Sequence, residues 1–349
     1  MCDDAGPAQP GGAGGASGGC PSPGQEVPHG SKDRGRGARD RSVHRGGRAD
    51  RVLHRHSDSL SGEIAAIAQA VVAREDGLRI ARLLAARDGK ITARLTLNNV
   101  IGGAIRQENV VAEIAGRELP DEVVILAAHL DSWDLGTGAL DNGCNAALVV
   151  AAARAIRAAG VQPRRTIRFI LFGGEEQGFI GSSAYVRQHR SELDGVRAVV
   201  VFDAGSGRVT GYSLGGREDL RAGVEDVLRP LAPWRVGDHT LDASPGTDNF
   251  DFLLEGVPTL VANQDPDNYV STYHASTDTL DKVDTRNLQL NVAIAVQTVL
   301  GIADRVEPIG PRQSRAEVEA LMRRTGLEDE LKAMGYWSQW QDGSRGRAP

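Results

Sequence analysis

Beyond residue 105 the hydrophobic pattern switches repeatedly between two rhythms. NVVAEIAG, EVVILAAHL, TIRFILFGG, VRAVVVFDAG and VPTLVANQ are short, nearly continuous apolar runs that stop abruptly at Gly, Asp, His or Gln. Runs of that length predict strands buried on both faces. Between them NAALVVAAARAIRAAG, GSSAYVRQHR, REDLRAGVEDVLRPL and the long TRNLQLNVAIAVQTVLGIADRV carry apolar residues at helical spacing. Upstream, SLSGEIAAIAQAVVARE and GLRIARLLAARDG read as amphipathic helices and ITARLTLNNV alternates like a strand. Downstream, SRAEVEALMRRTGLEDELKAMG reads as one more helix before a polar tail. Continuous strands separated by helices predict an α/β fold: a single domain, from about residue 60 to 335, with a mostly parallel central sheet flanked by helices.

Composition changes the picture at the amino-terminal end. Residues 1–58 (GGAGGASGG, GSKDRGRGARDRS, HRGGRADRVLHRHSDS) are Gly-, Arg- and Ser-rich with little apolar periodicity, and hold four of the eight histidines, His29, His44, His54 and His56. They read as a disordered low-complexity arm or as a mis-called start, since off-frame translation of GC-rich DNA gives text of this kind. Residues 59–104 read as a remnant of the segment preceding the main domain, 105–308 as that domain, and 309–349 as a C-terminal helix with a polar tail. A net charge of −6 gives no reason to expect a nucleic-acid partner. No run is long and apolar enough to predict a membrane span. The opening MCDDAGPAQPGG lacks the basic and apolar regions of a signal peptide. Cys2, Cys20 and Cys144 form neither a disulfide framework nor a CxxC zinc pattern.

The candidate chemistry lies where the apolar runs stop. His129 ends VVILAA, Glu175 and Glu176 follow TIRFILFGG, and Asp203 follows VVVF, while Asp141 and His274 fall in loops. In open α/β sheets, ligands gather outside the carboxyl ends of strands, so three strand ends each delivering a ligand type to one edge predict a site. Imidazole and carboxylate suit zinc or a similar divalent ion. Adjacent glutamates at a strand-to-helix bend diverge, so one can bind metal while the other takes a proton from the attacking water. Asp131, two residues beyond His129, is placed to accept the second ring N–H of the imidazole and hold its tautomer. Cys144 reads as a small buried hydrophobe at a helix start rather than a nucleophile.

HLDSWDLGTGALDNG, FGGEEQGFIGS, FDAG, GTDNF…GVP and YHASTDT, in this order, resemble the motifs of the co-catalytic zinc exopeptidases of the aminopeptidase and glutamate-carboxypeptidase superfamily. HLDSWDLGTGA is most similar to the carboxypeptidase Q branch, which acts on dipeptides and short peptides. The resemblance implies a zinc-exopeptidase (phosphorylase/hydrolase-like) fold, two zinc ions per chain, and a metallopeptidase that hydrolyses dipeptides or short peptides by attack of a metal-bridging water. It implies His129 and Asp203 on one ion, Glu176 and His274 on the other, Asp141 bridging them and Glu175 as general base. Tyr273 sits where some relatives stabilise the oxyanion with a tyrosine, a role that stands beside simple packing. Asp248 is expected to touch substrate or to order its loop. A secreted or periplasmic setting follows from the resemblance alone, and a homodimer is admitted as an assembly. Two departures stand out: Cys144 and Asn145 after the bridging aspartate, and too few residues ahead of NVVAEIAG for the lid-like domain that relatives of this branch carry. Two alternatives therefore stay open: a catalytically impaired, lid-less binding relative, and a glutaminyl-cyclase-like transferase.

Overall fold

The computed structural model describes residues 74–98, 102–243 and 245–348, together with Ala70, Val72 and Val100. The readings on residues 1–58, and most of the helix expected over 59–75, lie outside the described residues. Among the described residues six strands form one sheet: β1 (Val110–Ile114), β2 (Leu119–His129), β3 (Arg165–Phe172), β4 (Val196–Val201), β5 (Val209–Ser213) and β6 (Thr259–Gln264). Their order is β1-β3-β2-β4-β6-β5. β3, β2, β4 and β6 run parallel, while β1 and β5 pair antiparallel at the two edges. The expected mostly parallel sheet is thus a mixed one with antiparallel margins.

Ten helices accompany it in the described residues: α1 (Arg74–Ala86), α2 (Cys144–Ala158), α3 (Ile180–Gln188), α4 (Arg221–Leu228), α5 (Phe250–Leu254), α6 (Tyr269–Thr272), α7 (Thr285–Asp304), α8 (Arg315–Thr325), α9 (Leu327–Met334) and α10 (Trp337–Asp342). Period-2 geometry sorts the central strand between two cores. Val124, Leu126 and Ala128 pack with Leu148 and Ala152 of α2 and Ile294 and Val299 of α7. Val123, Ile125 and Ala127 pack with Tyr185 and Val186 of α3 and Phe252 of α5. A strand covered on both faces has no polar side to show, which is why β2 reads as unbroken VVILAA. No helix of the described residues is long and apolar enough to cross a membrane.

The structure departs from the pattern at four places. Residues 91–98, expected as part of a strand, are neither strand nor helix, and Leu95 and Leu97 are exposed. Alternation alone does not make a strand without an edge to pair with, and β1 already occupies the edge beside β3. β5 carries Gly211 at its centre, a poor strand former that the pattern does not announce. The helix expected over 314–335 breaks at Gly326, whose φ of 83° caps α8 and starts α9. The supposedly polar tail folds back: Trp340 is 1% exposed, and the buried Arg345 guanidinium grips Asp251 through two hydrogen bonds of 2.7 and 2.8 Å. Apolar aromatics and a forked ion pair, which a reading of overall polarity does not weigh, hold it there.

At the opposite end of the sheet from the candidate site, Arg165 on β3 is almost fully buried and donates to Glu122 Oε2 at 2.6 Å, while Arg197 donates to Glu122 Oε1 at 2.7 Å. The Arg197 hydrogen bond, opposed by burial and joined by that of Arg165, holds the Glu122 carboxyl down at about 2. A depressed carboxyl stabilises the fold above its unfolded value and loses that contribution as pH falls through the folded one. Glu122→Gln is therefore expected to cost about 1–3 kcal/mol at neutral pH. In chemical denaturation the gap between variant and wild type should close between about pH 4.5 and 2; a gap constant with pH would refute the assignment.

Candidate metal centre

β2 ends on His129, whose imidazole is 1% exposed. Its Nδ1 lies 2.9 Å from the main-chain carbonyl of Asp131. A carbonyl only accepts, so Nδ1 carries a proton, and Nε2 is the ring atom turned to the interior. Asp203, following β4, reaches that Nε2 at 2.8 Å, and Asp141 Oδ1 stands 3.3 Å from it. The other oxygen of Asp141 stands 3.3 Å from Nε2 of His274, which Glu176 Oε2 approaches at 3.0 Å. Two triads result, His129–Asp141–Asp203 and Asp141–Glu176–His274, each with its ligand atoms within 4.8 Å of one another. Asp141 belongs to both.

The chain is bent to make this possible. Gly174 has φ of 74°, a left-handed turn in which a Cβ would press on Ile180 at 3.1 Å, and this turn throws Glu175 and Glu176 off the end of β3. Asp141 lies in the tight turn Ala139–Gly143 before α2. His274 has φ of 53°, rare for a non-glycine residue, and is stacked on Tyr273 with ring centroids 3.7 Å apart. Asn142 and Asn145, part of the unusual DNGCN, join the Asp141 turn to the Asp203 strand end. Asn142 donates to the carbonyl of Phe202 at 3.0 Å, and Asn145 to Asn142 at 2.7 Å and to Gly205 at 3.1 Å.

Two carboxylates behind the triads brace them crosswise. Asp131, from the His129 loop, accepts the main-chain N–H groups of Glu175 and Glu176 at 3.0 and 3.1 Å. Asp278, from the His274 loop, accepts those of Leu140 and Asp141 at 2.7 and 3.0 Å. The contact expected between the Asp131 carboxylate and His129 is thus made by the Asp131 carbonyl, because the carboxylate is engaged by the glutamate loop. Asp278→Asn removes a charge-assisted acceptor from the Asp141 turn. It is expected to weaken divalent-ion affinity by about tenfold to a hundredfold in competition with a chelator; unchanged affinity would show that the turn holds itself.

The electrostatics ask for cations. Asp141 Oδ2 and Glu176 Oε1 are buried with no hydrogen-bond donor among the described residues, and carboxylates in that state are costly unless a positive charge meets them. Burial would lower His129, but Asp203 and Asp141 against its Nε2 hold it well above its ordinary value. Burial likewise opposes, and Asp141 and Glu176 overcome, a rise of His274 to about 9. Protons on these rings stand where ions would. Buried carboxylates that share two imidazoles therefore fit divalent metal, with His129, Asp141, Asp203, Glu176 and His274 as holders.

Glu175 belongs to neither triad. Its carboxylate is buried, 3.9 Å from His129 Nε2, and burial together with Asp203 raises it well above an ordinary glutamate. Tyr273 lines the cavity in front of the triads, and burial followed by the surrounding carboxylates keeps its phenol protonated as a donor. Tyr269, which the sequence reading missed, lines the same cavity, its ring occupying the space a Cβ on Gly205 would need. Asp248, expected to touch substrate or to order its loop, is 0% exposed. The cavity wall is made instead by its neighbours Thr247 and Asn249. Burial, and then its acidic neighbours, push Asp248 up to about 7, so it is a buried acid behind the site. Cys144 is buried and its thiol pushed up to about 12 by that burial, the state of an inert core residue.

Residues 109–299, which contain both triads, match peptidase family M28. Carboxypeptidase Q of Bos taurus is 34% identical over 70% of this chain and 52% of the relative, and that of Homo sapiens 36% identical over 57% and 42%. The chain spans about half the length of the curated relatives it matches. Among solved structures, a peptidase M28 precursor from Shewanella amazonensis is similar at TM-score 0.56 and 34% identity, covering 59% of this chain and 47% of that one. The LapA aminopeptidase of Legionella pneumophila shares the fold at TM-score 0.50 and 22% identity, over 57% of this chain and 56% of that one. With more than half its length matched, the chain belongs to peptidase family M28.

Proposed function

We propose that this chain is a metal-dependent exopeptidase that hydrolyses dipeptides or other short peptides and holds two zinc ions. The observation that carries the reading is the Asp141 carboxylate, with one oxygen 3.3 Å from each of two buried imidazoles. When bound, the ions would polarise the scissile carbonyl and acidify the attacking water. Glu175, which belongs to neither triad, would accept a proton from the attacking water and return it to the leaving amine. The Tyr273 O–H donates to the oxygen on which negative charge gathers. The relatives' name, carboxypeptidase, and the zinc-exopeptidase resemblance of the motifs support this substrate class and a secreted or periplasmic setting.

Purified protein is expected to carry close to two divalent ions per chain by elemental analysis. Dipeptide hydrolysis should vanish on dialysis against a chelator and return with zinc. One ion favours a one-zinc transferase and none a binding relative, while hydrolysis that survives the chelator overturns the metal dependence itself.

A further inference from the structure

A cavity of about 290 Å³ opens beside Asp141, Glu176, Asp203 and His274. That is room for one residue of a peptide, below the about 300–1,000 Å³ of sites for larger ligands. Its remaining wall includes Tyr269, Tyr273, Ser213 at the end of β5, Asn263 on β6, Asn249 and Asp242. Among the described residues this wall contains no lysine or arginine. Apart from the triads, Glu175 and two tyrosines, its ionisable group is Asp242.

Away from the two tyrosines, this wall offers acceptors. The Asn263 amide donates to Asp238 O at 3.0 Å and Thr240 Oγ1 at 3.4 Å, which spends its N–H groups and leaves its oxygen free to accept. Asn249 Oδ1 is buried with no donor among the described residues. Asp242 is exposed, and among the described residues no cation comes within ion-pair distance of its carboxylate. Its main chain is nevertheless fixed: Ser213 Oγ donates to the Asp242 carbonyl at 2.6 Å, and Leu214 N–H to Thr240 O at 2.9 Å. A carboxylate without a cation partner and an amide whose N–H groups are spent, both lining one cavity, ask the occupant to bring N–H donors and positive charge.

We propose that this cavity is a cation-selecting substrate subsite in which Asp242 receives an ammonium or guanidinium group of the peptide and from which a terminal carboxylate is excluded. The proposal rests on the peptidase reading above and names the part of the substrate that lies beside the metal centre. The cation is either the α-ammonium of the peptide or a basic side chain. Arg324, in a neighbouring cavity that shares Asp242 as a wall, is an alternative seat for a carboxylate.

The test uses the zinc-loaded full chain and one dipeptide core in four forms: free, N-acetylated, C-amidated, and with lysine as its first residue. Wild type is expected to lose at least about tenfold in kcat/KM on N-acetylation, or to gain about tenfold from the lysine, and to lose less than about threefold on C-amidation. Asp242→Asn should collapse that preference mainly through KM. A loss shared by all free-amine peptides identifies the α-ammonium, and a loss confined to the lysine peptide identifies the side chain. If Asp242→Asn leaves every ratio within about twofold of wild type, or if amidation costs more than acetylation, the subsite is overturned. If no peptide is cleaved, the peptidase reading fails separately. Calorimetric titration with lysine amide then decides the subsite: binding weakened about tenfold by Asp242→Asn upholds it, and no binding by wild type ends it.

Discussion

Asp141→Ala is expected to strip both ions from the chain and to lower peptide turnover by at least about a thousandfold. The carboxylate has one oxygen 3.3 Å from His129 Nε2 and the other 3.3 Å from His274 Nε2, so each triad loses a third of its protein ligands at once. Removing a metal's contribution to transition-state charge is worth several kcal/mol, and about 4 kcal/mol is a thousandfold. Asp203→Ala is the control, since it touches one triad and should leave close to one ion per chain. Elemental analysis of the two variants side by side distinguishes a shared bridge from two independent sites. One full ion retained in Asp141→Ala would mean that the carboxylate does not link the triads. Burial opposes, but the His129 and His274 rings hold the Asp141 carboxyl below its ordinary value, so the metal-free variant should also melt below the metal-free wild type.

Much of the centre was legible because its residues sit where an apolar strand ends. His129, Glu175, Glu176 and Asp203 each follow such a run, and a parallel sheet brings those ends to one edge. The site's supports were less legible, for reasons of tertiary structure. Asp278 acts through two main-chain N–H groups far away in sequence, and no local spacing announces that contact. Its place in the same short motif as His274 was the available hint. Asp131 was singled out as a carboxylate against the imidazole, yet the structure uses its carbonyl for the ring and its carboxylate for the glutamates. Asp248 illustrates the same limit, because GTDNF does not say which polar residue turns inward and which toward the cavity. Asp242 and Tyr269 stand in ordinary loop text and meet the site only when β5 and β6 pair.

Glu175→Gln is expected to keep both ions and to cut turnover by at least about a hundredfold, the scale of a lost general base. The amide is nearly isosteric, and the two N–H groups that Asp131 holds belong to the main chain, so the glutamate turn keeps its shape. What disappears is the basic oxygen, buried 3.9 Å from His129 and outside both triads. Glu176→Gln, one residue along, should behave differently. It weakens the triad in which Glu176 lies 3.0 Å from His274, and should release one ion together with activity. Neighbouring identical side chains with opposite phenotypes, one losing rate at constant metal and the other losing metal, follow from the left-handed turn at Gly174 that parts them. If Glu175→Gln loses an ion, Glu175 is a ligand. If it turns over at the wild-type rate, the proton is taken elsewhere, with the buried acid Asp248 the next residue to change.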